Sequence, residues 1–180
     1  MPERILIIGS SGAGKSTLAR ALARHLDLPL IHLDRHYWQP GWVPMAEASW
    51  AAEVERLIAL PAWVMDGNYN ATMPQRMARA DAIVHMDFPR RVCLGRIARR
   101  IVTTYGQVRE DMAPGCPEQI DWEFLQWVWN FPRRSRPKNL ALLQGFRGPI
   151  VTLRNPSGVR TWQQAGYSFG DMVELGAISR

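Results

Sequence analysis

A glycine-rich segment near the start of the chain restricts the folds that this sequence can adopt. Residues 9–16 read GSSGAGKS, and they join a short apolar run at residues 5–8 to a helical pattern that begins at Lys15. The apolar run is typical of a strand buried on both faces. Leu18, Leu22 and Leu26 recur at the spacing of one helix face. A buried strand, a glycine-rich turn and an amphipathic helix in this order predict the first βα unit of a parallel sheet.

The same segment fits the pattern G-x-x-x-x-G-K-[ST], known as the P-loop, which binds nucleotide phosphates. Glycines let the backbone turn tightly, so that its N–H groups point at phosphate oxygens, and the helix that follows adds its positive dipole end. Lys15 supplies a charge for the β- and γ-phosphates, and the Ser16 hydroxyl can ligate Mg²⁺. We therefore predict that the chain binds ATP and Mg²⁺. The predicted nucleotide-binding residues are Gly9, Ser10, Ser11, Gly12, Ala13, Gly14, Lys15, Ser16 and Thr17.

The rest of the sequence continues the alternation of strands and helices. Four further apolar runs predict strands at residues 30–33, 62–65, 82–86 and 150–153. This alternation predicts an α/β fold with three layers, in which helices cover both faces of a five-stranded parallel sheet. A length of 180 residues suits a single domain, residues 1–180. Residues from about 90 to 146 contain more helices than a simple crossover needs, which predicts a lid-like helical insertion between the fourth and fifth strands.

Composition restricts the location and the partners of the chain. No apolar run approaches 18 residues and no secretory signal is visible, so we expect a cytoplasmic protein with no membrane partner. The two cysteines cannot make a disulfide framework or a four-ligand zinc site. The net charge of +6 suggests acidic partners. Only Lys15 and Lys138 of the 22 basic residues are lysines. This preference for arginine over lysine is explained more simply by the composition of the genome than by function.

Two aspartates at strand ends are candidates for the carboxylate that holds Mg²⁺. Asp66 closes the third predicted strand and precedes Gly67, whereas Asp87 closes the fourth and precedes Phe88 and Pro89. Both lie at the carboxyl edge of the sheet, where ligands of such folds bind. The Asp66-Gly67 pair resembles the third-strand Asp-Gly of adenylate-kinase-type proteins, so Asp66 is the preferred metal ligand together with Ser16. For Asp87 a turn or a helix N-cap is the preferred interpretation.

A third aspartate, Asp34, closes the second predicted strand at the same edge of the sheet. In small-molecule kinases of this architecture a strand-two carboxylate holds the acceptor hydroxyl, which suggests that role for Asp34. A cap or a loop hydrogen bond is the alternative. Nearby rings either form the walls of an acceptor pocket or pack in the core. They belong to His32, His36, Tyr37, Trp38 and Trp42.

Arginines before and within the predicted insertion offer charges for phosphoryl transfer. Arg96, Arg99 and Arg100 share one face of a predicted helix just before the insertion. Arginines that close over the γ-phosphoryl oxygens lower the barrier to transfer. We expect the insertion to close on nucleotide with a hinge in residues 109–117, the alternative being a fixed subdomain packed by tryptophans. The predicted catalytic residues are Lys15, Asp34, Asp66, Arg96 and Arg100.

Several segments together carry a family resemblance. They are residues 9–16, the Asp66-Gly67-Asn68-Tyr69 turn, residues 87–89 (DFP), 112–117 (MAPGCP), 121–124 (DWEF) and 129–134 (WNFPRR). The set resembles the bacterial topology-modulation (FlaR-like) family of adenylate-kinase-like P-loop proteins, over about residues 4–162. The resemblance implies the fold of a nucleotide or small-molecule kinase. Adenylate-kinase-type proteins carry an arginine four residues after this aspartate, and Asn70 stands there. This departure favours a smaller hydroxyl-bearing acceptor, anchored by Asp34 and Asn68, over a nucleotide.

The sequence therefore predicts an enzyme, an ATP-dependent kinase that moves the γ-phosphoryl group to a small acceptor. The alternative is a nucleic-acid-binding regulator of DNA topology that uses ATP as a switch. The high pI and the arginines at residues 133–136 beside Trp127 and Trp129 favour this alternative. No helix-turn-helix or zinc module is visible in the sequence, so nucleic acid is the less favoured partner.

Overall fold

The computed structural model describes residues 1–170 and 173–175. Its strands are β1 (Arg4–Gly9), β2 (Leu30–His32), β3 (Trp38–Gln39), β4 (Val43–Pro44), β5 (Trp63–Asp66), β6 (Ala82–Met86), β7 (Ile150–Leu153) and β8 (Val173–Leu175). Six of them form one sheet in the order β2-β5-β1-β6-β7-β8, and all of its pairings are parallel. Strands β3 and β4 form a separate antiparallel hairpin.

The described residues form eight α-helices. They are α1 (Lys15–Leu26), α2 (Leu33–Tyr37), α3 (Glu47–Ile58), α4 (Met73–Arg79), α5 (Arg90–Thr104), α6 (Trp122–Arg134), α7 (Arg136–Gln144) and α8 (Pro156–Gln164). A single 3₁₀ turn, Asn70–Thr72, precedes α4. None of the described helices is long and apolar enough to cross a membrane.

The two faces of the sheet are covered by different sets of helices. Ile5 and Ile7 of β1 pack in one hydrophobic cluster with residues of α1, α5 and α8, whereas Leu6 and Ile8 pack in a second cluster with residues of α3, α4 and α7. This split follows from the period of two in a strand, which sends successive side chains to opposite faces. All four side chains are at most 1% exposed. The predicted three-layer α/β fold is therefore confirmed.

The five predicted strands are all present, and two regions differ from the prediction. The second strand ends at His32, because Leu33 begins the short helix α2, and residues 38–44, outside every predicted strand, hold the β3–β4 hairpin. Residues 173–175, in a segment whose sequence shows no clear pattern, form β8, a sixth parallel strand beside β7. Strands of two or three residues are too short to show a periodicity in the sequence.

The helices α5, α6 and α7 all lie between β6 and β7, as the predicted insertion requires. Helix α6 contacts both α5 and α7. The loop between α5 and α6 is closed on itself, because the Gly106 N–H donates to the Glu118 carbonyl and the Glu118 N–H donates to the Gln107 carbonyl, 2.9 Å in each case. The Asp121 carboxylate caps α6 by accepting the Phe124 N–H at 3.0 Å.

Candidate functional site

The loop between β1 and α1 leaves no room for side chains at two of its glycines. A Cβ atom on Gly9 would lie 2.3 Å from the Met86 carbonyl oxygen, and one on Gly12 would lie 2.4 Å from the Cys93 carbonyl oxygen. Both glycines also have positive φ, 140° and 79°. Only glycine combines this conformation with such close approach of another backbone. The loop is therefore held tightly against β6 and α5.

A cavity of about 960 Å³ lies along this loop. Such a volume is typical of a small-molecule site. The sheet order gives the cavity two ends, because β2 and β5 lie on one side of β1, and β6 and β7 lie on the other. Asp34, Trp38 and Tyr69 line the first end, and Val159 of α8 lines the second. Seven predicted nucleotide-binding residues line its middle: Ser11, Gly12, Ala13, Gly14, Lys15, Ser16 and Thr17.

The predicted metal ligands lie together in the middle of the cavity. The Ser16 hydroxyl donates to Oδ2 of Asp66 at 2.7 Å, and Oδ1 of Asp66 lies 2.6 Å from Nδ1 of His32. Lys15 Nζ donates to the Ser10 carbonyl at 3.2 Å. The described residues include no group of three or more His, Cys, Asp or Glu side chains that could hold a metal. One hydroxyl and one carboxylate suit Mg²⁺, which keeps waters and phosphate oxygens as its other ligands.

The alternative aspartate, Asp87, has a different partner. Both of its carboxylate oxygens accept hydrogen bonds from Arg136 of α7, each at 2.7 Å. Burial alone would raise the pKa of Asp87, but the hydrogen bond from Arg136 opposes it, and the pKa lies below its usual value. Of the three arginines at residues 133–136, Arg136 makes this contact with the sheet, whereas Arg133 and Arg134 are exposed. Asp87 thus joins the insertion to the sheet.

Asp34, the predicted acceptor residue, is paired with a tyrosine. The Tyr69 hydroxyl donates to Oδ1 of Asp34 at 2.5 Å. Burial raises the pKa of Asp34, and the hydrogen bond from Tyr69 opposes that rise. Lys15 also lowers it, whereas the charges of Asp66 and Asp111 raise it further. We did not assign Tyr69 a role from the sequence, because its proximity to Asp34 depends on the pairing of β2 with β5.

A buried arginine holds the turn that carries Tyr69. Arg76 is fully buried, and its guanidinium donates to the carbonyls of Gly67, Asn68 and Tyr69. Burial lowers the pKa of Arg76 to about 9. The oxygen and the nitrogen of the Asn68 side-chain amide are both bonded to Gly9, whose N–H donates to Oδ1 at 3.0 Å and whose carbonyl accepts from Nδ2 at 2.8 Å. Tyr69 has φ of +39°, a conformation that this turn must maintain.

Replacing Tyr69 by phenylalanine should raise the pKa of the Asp34 carboxyl. The phenol is the one hydrogen-bond donor that opposes the effect of burial on this group, and phenylalanine retains the ring while removing the donor. The pKa is measurable by NMR titration of carboxyl-labelled aspartate. Tyr37→Phe is the matched control, because Tyr37 packs on Tyr69 with ring centroids 4.7 Å apart. A pKa that is equal in wild type and Tyr69→Phe would contradict this role of the hydroxyl.

The predicted arginines lie at the cavity wall. Arg96 donates to the Ala13 carbonyl at 2.6 Å, beside the phosphate-binding loop, and Arg100 donates to Glu118 at 3.0 Å. Both line the cavity, whereas Arg99 does not. Arg109, which we did not predict, also lines the cavity and contacts Glu118 at 2.9 Å.

A carboxylate from the loop between α5 and α6, that of Asp111, also lines the cavity. Asp111 is 8% exposed and accepts from Arg109 at 2.8 and 3.0 Å. Burial would raise the pKa of Asp111, but the charge of Arg109 opposes this and holds the pKa below its usual value. Arg109, Asp111 and Glu118 lie in a loop without periodicity, so no sequence signal identified them.

The MAPGCP segment, residues 112–117, packs on the β3–β4 hairpin. Trp42 Nε1 donates to the Pro117 carbonyl at 3.0 Å, and the Gly41 N–H donates to the Gly115 carbonyl at 2.8 Å. A Cβ on Gly115 would lie 2.8 Å from Cβ of Pro40. The segment that we expected to act as a hinge is thus seated on the hairpin. Its movement on nucleotide binding stays a prediction.

Some of the rings near Asp34 lie in the cavity wall and others pack elsewhere. Trp38 and Trp42 line the cavity, with centroids 5.5 Å apart. Tyr37 packs edge-on against Trp50 at 5.1 Å. His36 instead contacts Glu53, with Nδ1 2.7 Å from Oε1. The end of the cavity that Asp34 lines therefore has two tryptophans in its wall.

Comparisons with known proteins agree with this architecture. No family model matches the sequence. The chain is 26% identical over 166 residues to the uncharacterized protein YqaC of Bacillus subtilis (strain 168). This match covers 88% of this chain and 92% of that protein.

Solved structures of small-molecule kinases share the fold. A shikimate kinase from Acinetobacter baumannii, in complex with shikimate, matches with a TM-score of 0.58 and 19% identity, over 91% of this chain and 89% of that one. A gluconokinase from Sinorhizobium meliloti 1021 matches with a TM-score of 0.53 and 18% identity, over 92% and 89%. The chain therefore has the fold of P-loop kinases.

Proposed function

We propose that this chain is an ATP-dependent phosphotransferase that uses Mg²⁺ and acts on a small hydroxyl-bearing acceptor. The observation that carries the proposal is the contact between Ser16 and Asp66, 2.7 Å, beside Lys15 at the middle of a 960 Å³ cavity. Asp34 stands at one end of that cavity. The kinase fold and the MAPGCP segment also support membership of the topology-modulation family of P-loop proteins.

Each part of the site has a task in this reaction. The loop amides and Lys15 would bind the phosphates of ATP, and Ser16 and Asp66 would hold Mg²⁺, which neutralises phosphate charge when bound. The acceptor oxygen attacks the γ-phosphorus, and the bond from that phosphorus to the bridging oxygen of ADP breaks. The acceptor proton passes to the Asp34 carboxylate, which the Tyr69 hydroxyl orients.

The arginines of the insertion would stabilise the charge that develops during transfer. Arg96 already lies against the phosphate-binding loop, and Arg100 and Arg109 are held at the cavity wall by Glu118. Arranged donors around the γ-phosphoryl oxygens lower the barrier, because they need little reorganisation. The catalytic roles of Lys15 and these arginines are thus mainly electrostatic.

Calorimetric titration with ATP and Mg²⁺ tests the binding half of this proposal. Lys15→Ala should weaken binding by about a hundredfold, because the ammonium contacts charged phosphate oxygens through charge-assisted hydrogen bonds. Lys138→Ala is the matched control, since Lys138 is the other lysine of the chain and is exposed on α7; it should bind as wild type does. Equal affinity in all three proteins would remove the phosphate-binding role of the loop.

A further inference from the structure

The charged residues of the cavity are unevenly distributed. Among the described residues that line it, four are basic and five are acidic. The basic ones are Lys15, Arg96, Arg100 and Arg109, and the acidic ones are Asp34, Asp66, Asp111, Glu118 and Asp121. Lys15 belongs to the P-loop, Arg96 and Arg100 belong to α5, and Arg109 lies in the loop between α5 and α6. Helix α2, the β3–β4 hairpin and the turn after β5 line the end of the cavity that holds Asp34, here called the acceptor end, and supply none of them.

Two buried or half-buried donor groups near the acceptor end, those of Arg76 and Asn68, already have partners. The guanidinium of Arg76 donates to three consecutive carbonyls, and the amide of Asn68 is bonded to Gly9. Arg109, in the loop between α5 and α6, is bound by Asp111 and Glu118. Among the described residues that line this end, no basic side chain would balance the charge of an acceptor carboxylate or phosphate beside Asp34, which is unfavourable in a partly buried site.

The walls at this end suit a neutral compound. Trp38 and Trp42 present ring surface to the cavity, and Met112 lines it beside them. Aromatic surface packs well against the C–H faces of sugars and similar rings. The free oxygen of Asp34 can accept a hydrogen bond from a hydroxyl group, since Tyr69 occupies the other oxygen.

We propose that the phosphoryl acceptor is a hydroxyl compound without any anionic group, such as an uncharged sugar, polyol or nucleoside, or an amino alcohol. This inference rests on the proposed phosphotransferase function and adds the substrate class. Selection comes from repulsion as much as from attraction, because the Asp34 carboxylate disfavours anions at the acceptor end.

Matched acceptor pairs test the inference on the full-length protein. ADP release from ATP and Mg²⁺ is measured with glucose against gluconate, inositol against shikimate, and adenosine against AMP, with glucosamine as the cationic probe. At least one uncharged or cationic compound should raise the rate above the acceptor-free rate, and by at least about tenfold over its anionic partner. An anionic compound that is used equally well or better overturns the inference, and so does the absence of any response to the uncharged and cationic compounds.

Two controls separate this inference from the function on which it rests. If Lys15→Ala binds ATP as wild type does, the phosphotransferase proposal fails and the acceptor class fails with it. If ATP binding depends on Lys15 but gluconate is the better acceptor, only the acceptor class fails.

A gain-of-charge variant gives an independent readout. Asn70 is exposed and lines the acceptor end, so Asn70→Arg adds the cation that this end lacks. Gluconate binding, measured by calorimetry in the presence of ADP, should increase by about tenfold in Asn70→Arg. Asn70→Gln is the control and should bind gluconate as weakly as wild type. Equal binding by all three proteins contradicts the role of charge.

Discussion

Replacing Asp66 by asparagine should lower Mg²⁺-dependent turnover of ATP on the order of a hundredfold. The substitution removes the charge that would hold the metal, and it changes the group that accepts the Ser16 hydroxyl and lies 2.6 Å from His32. The side chain keeps its size, so the packing of β5 should be little changed. Turnover is measured as ADP release over a series of Mg²⁺ concentrations, and a weakened metal site should also shift the half-maximal Mg²⁺ concentration upward.

Asp87→Asn is the matched control for this prediction. It also neutralises a buried strand-end aspartate, but Asp87 contacts Arg136 rather than the phosphate-binding loop. We expect a lower free energy of unfolding with only a small change in turnover and in the Mg²⁺ requirement. If Asp87→Asn reduces turnover more than Asp66→Asn does, the metal role belongs to Asp87.

Replacing Arg76 by methionine should lower the free energy of unfolding by about 3 kcal/mol. The variant leaves the carbonyls of Gly67, Asn68 and Tyr69 without their shared donor. Removing a buried charge has a favourable part, because burial already lowers the pKa of Arg76 to about 9. The loss of hydrogen bonds should outweigh this gain, because the three carbonyls stay in the turn and methionine cannot donate hydrogen bonds to them.

Urea unfolding measures this effect, with Arg79→Met as the control. Arg79 lies one turn further along α4, is exposed, and donates only to the Ile58 carbonyl at 3.3 Å. Its replacement should change the free energy of unfolding by less than about 0.5 kcal/mol. Similar losses in the two variants would show that the buried contacts of Arg76 do not stabilise the turn.

The parts of the site that could be predicted are those set by local sequence or by strand ends. Phosphate binding by a P-loop depends on consecutive backbone amides, so residues 9–16 indicate it directly. Asp34 and Asp66 were identified because parallel strands bring their carboxyl ends to one edge of the sheet. The expectation that Asn68 anchors the acceptor is not supported by its contacts, since its amide is bonded to Gly9.

The parts that could not be predicted depend on contacts between distant segments. Asp111 and Arg109 reach the cavity because residues 112–117 are seated on the hairpin, through contacts such as Gly41 with Gly115. Nothing in the sequence near residue 40 indicates that partner. In the sequence Arg76 looks like an ordinary surface residue of a helix. Its burial depends on the turn of residues 67–69, which packs against it. Long-range packing therefore completes a site whose phosphate-binding half is local.

A crystal structure with Mg²⁺ and a non-hydrolysable ATP analogue tests the central claim most directly. The account predicts that the triphosphate lies against the amides of Gly12, Ala13 and Gly14, with Lys15 Nζ turned from the Ser10 carbonyl to the phosphates. It also predicts Mg²⁺ at about 2.1 Å from the Ser16 hydroxyl oxygen, with Asp66 bound to the ion directly or through water. A triphosphate outside this loop, or a metal held by Asp87, would contradict it.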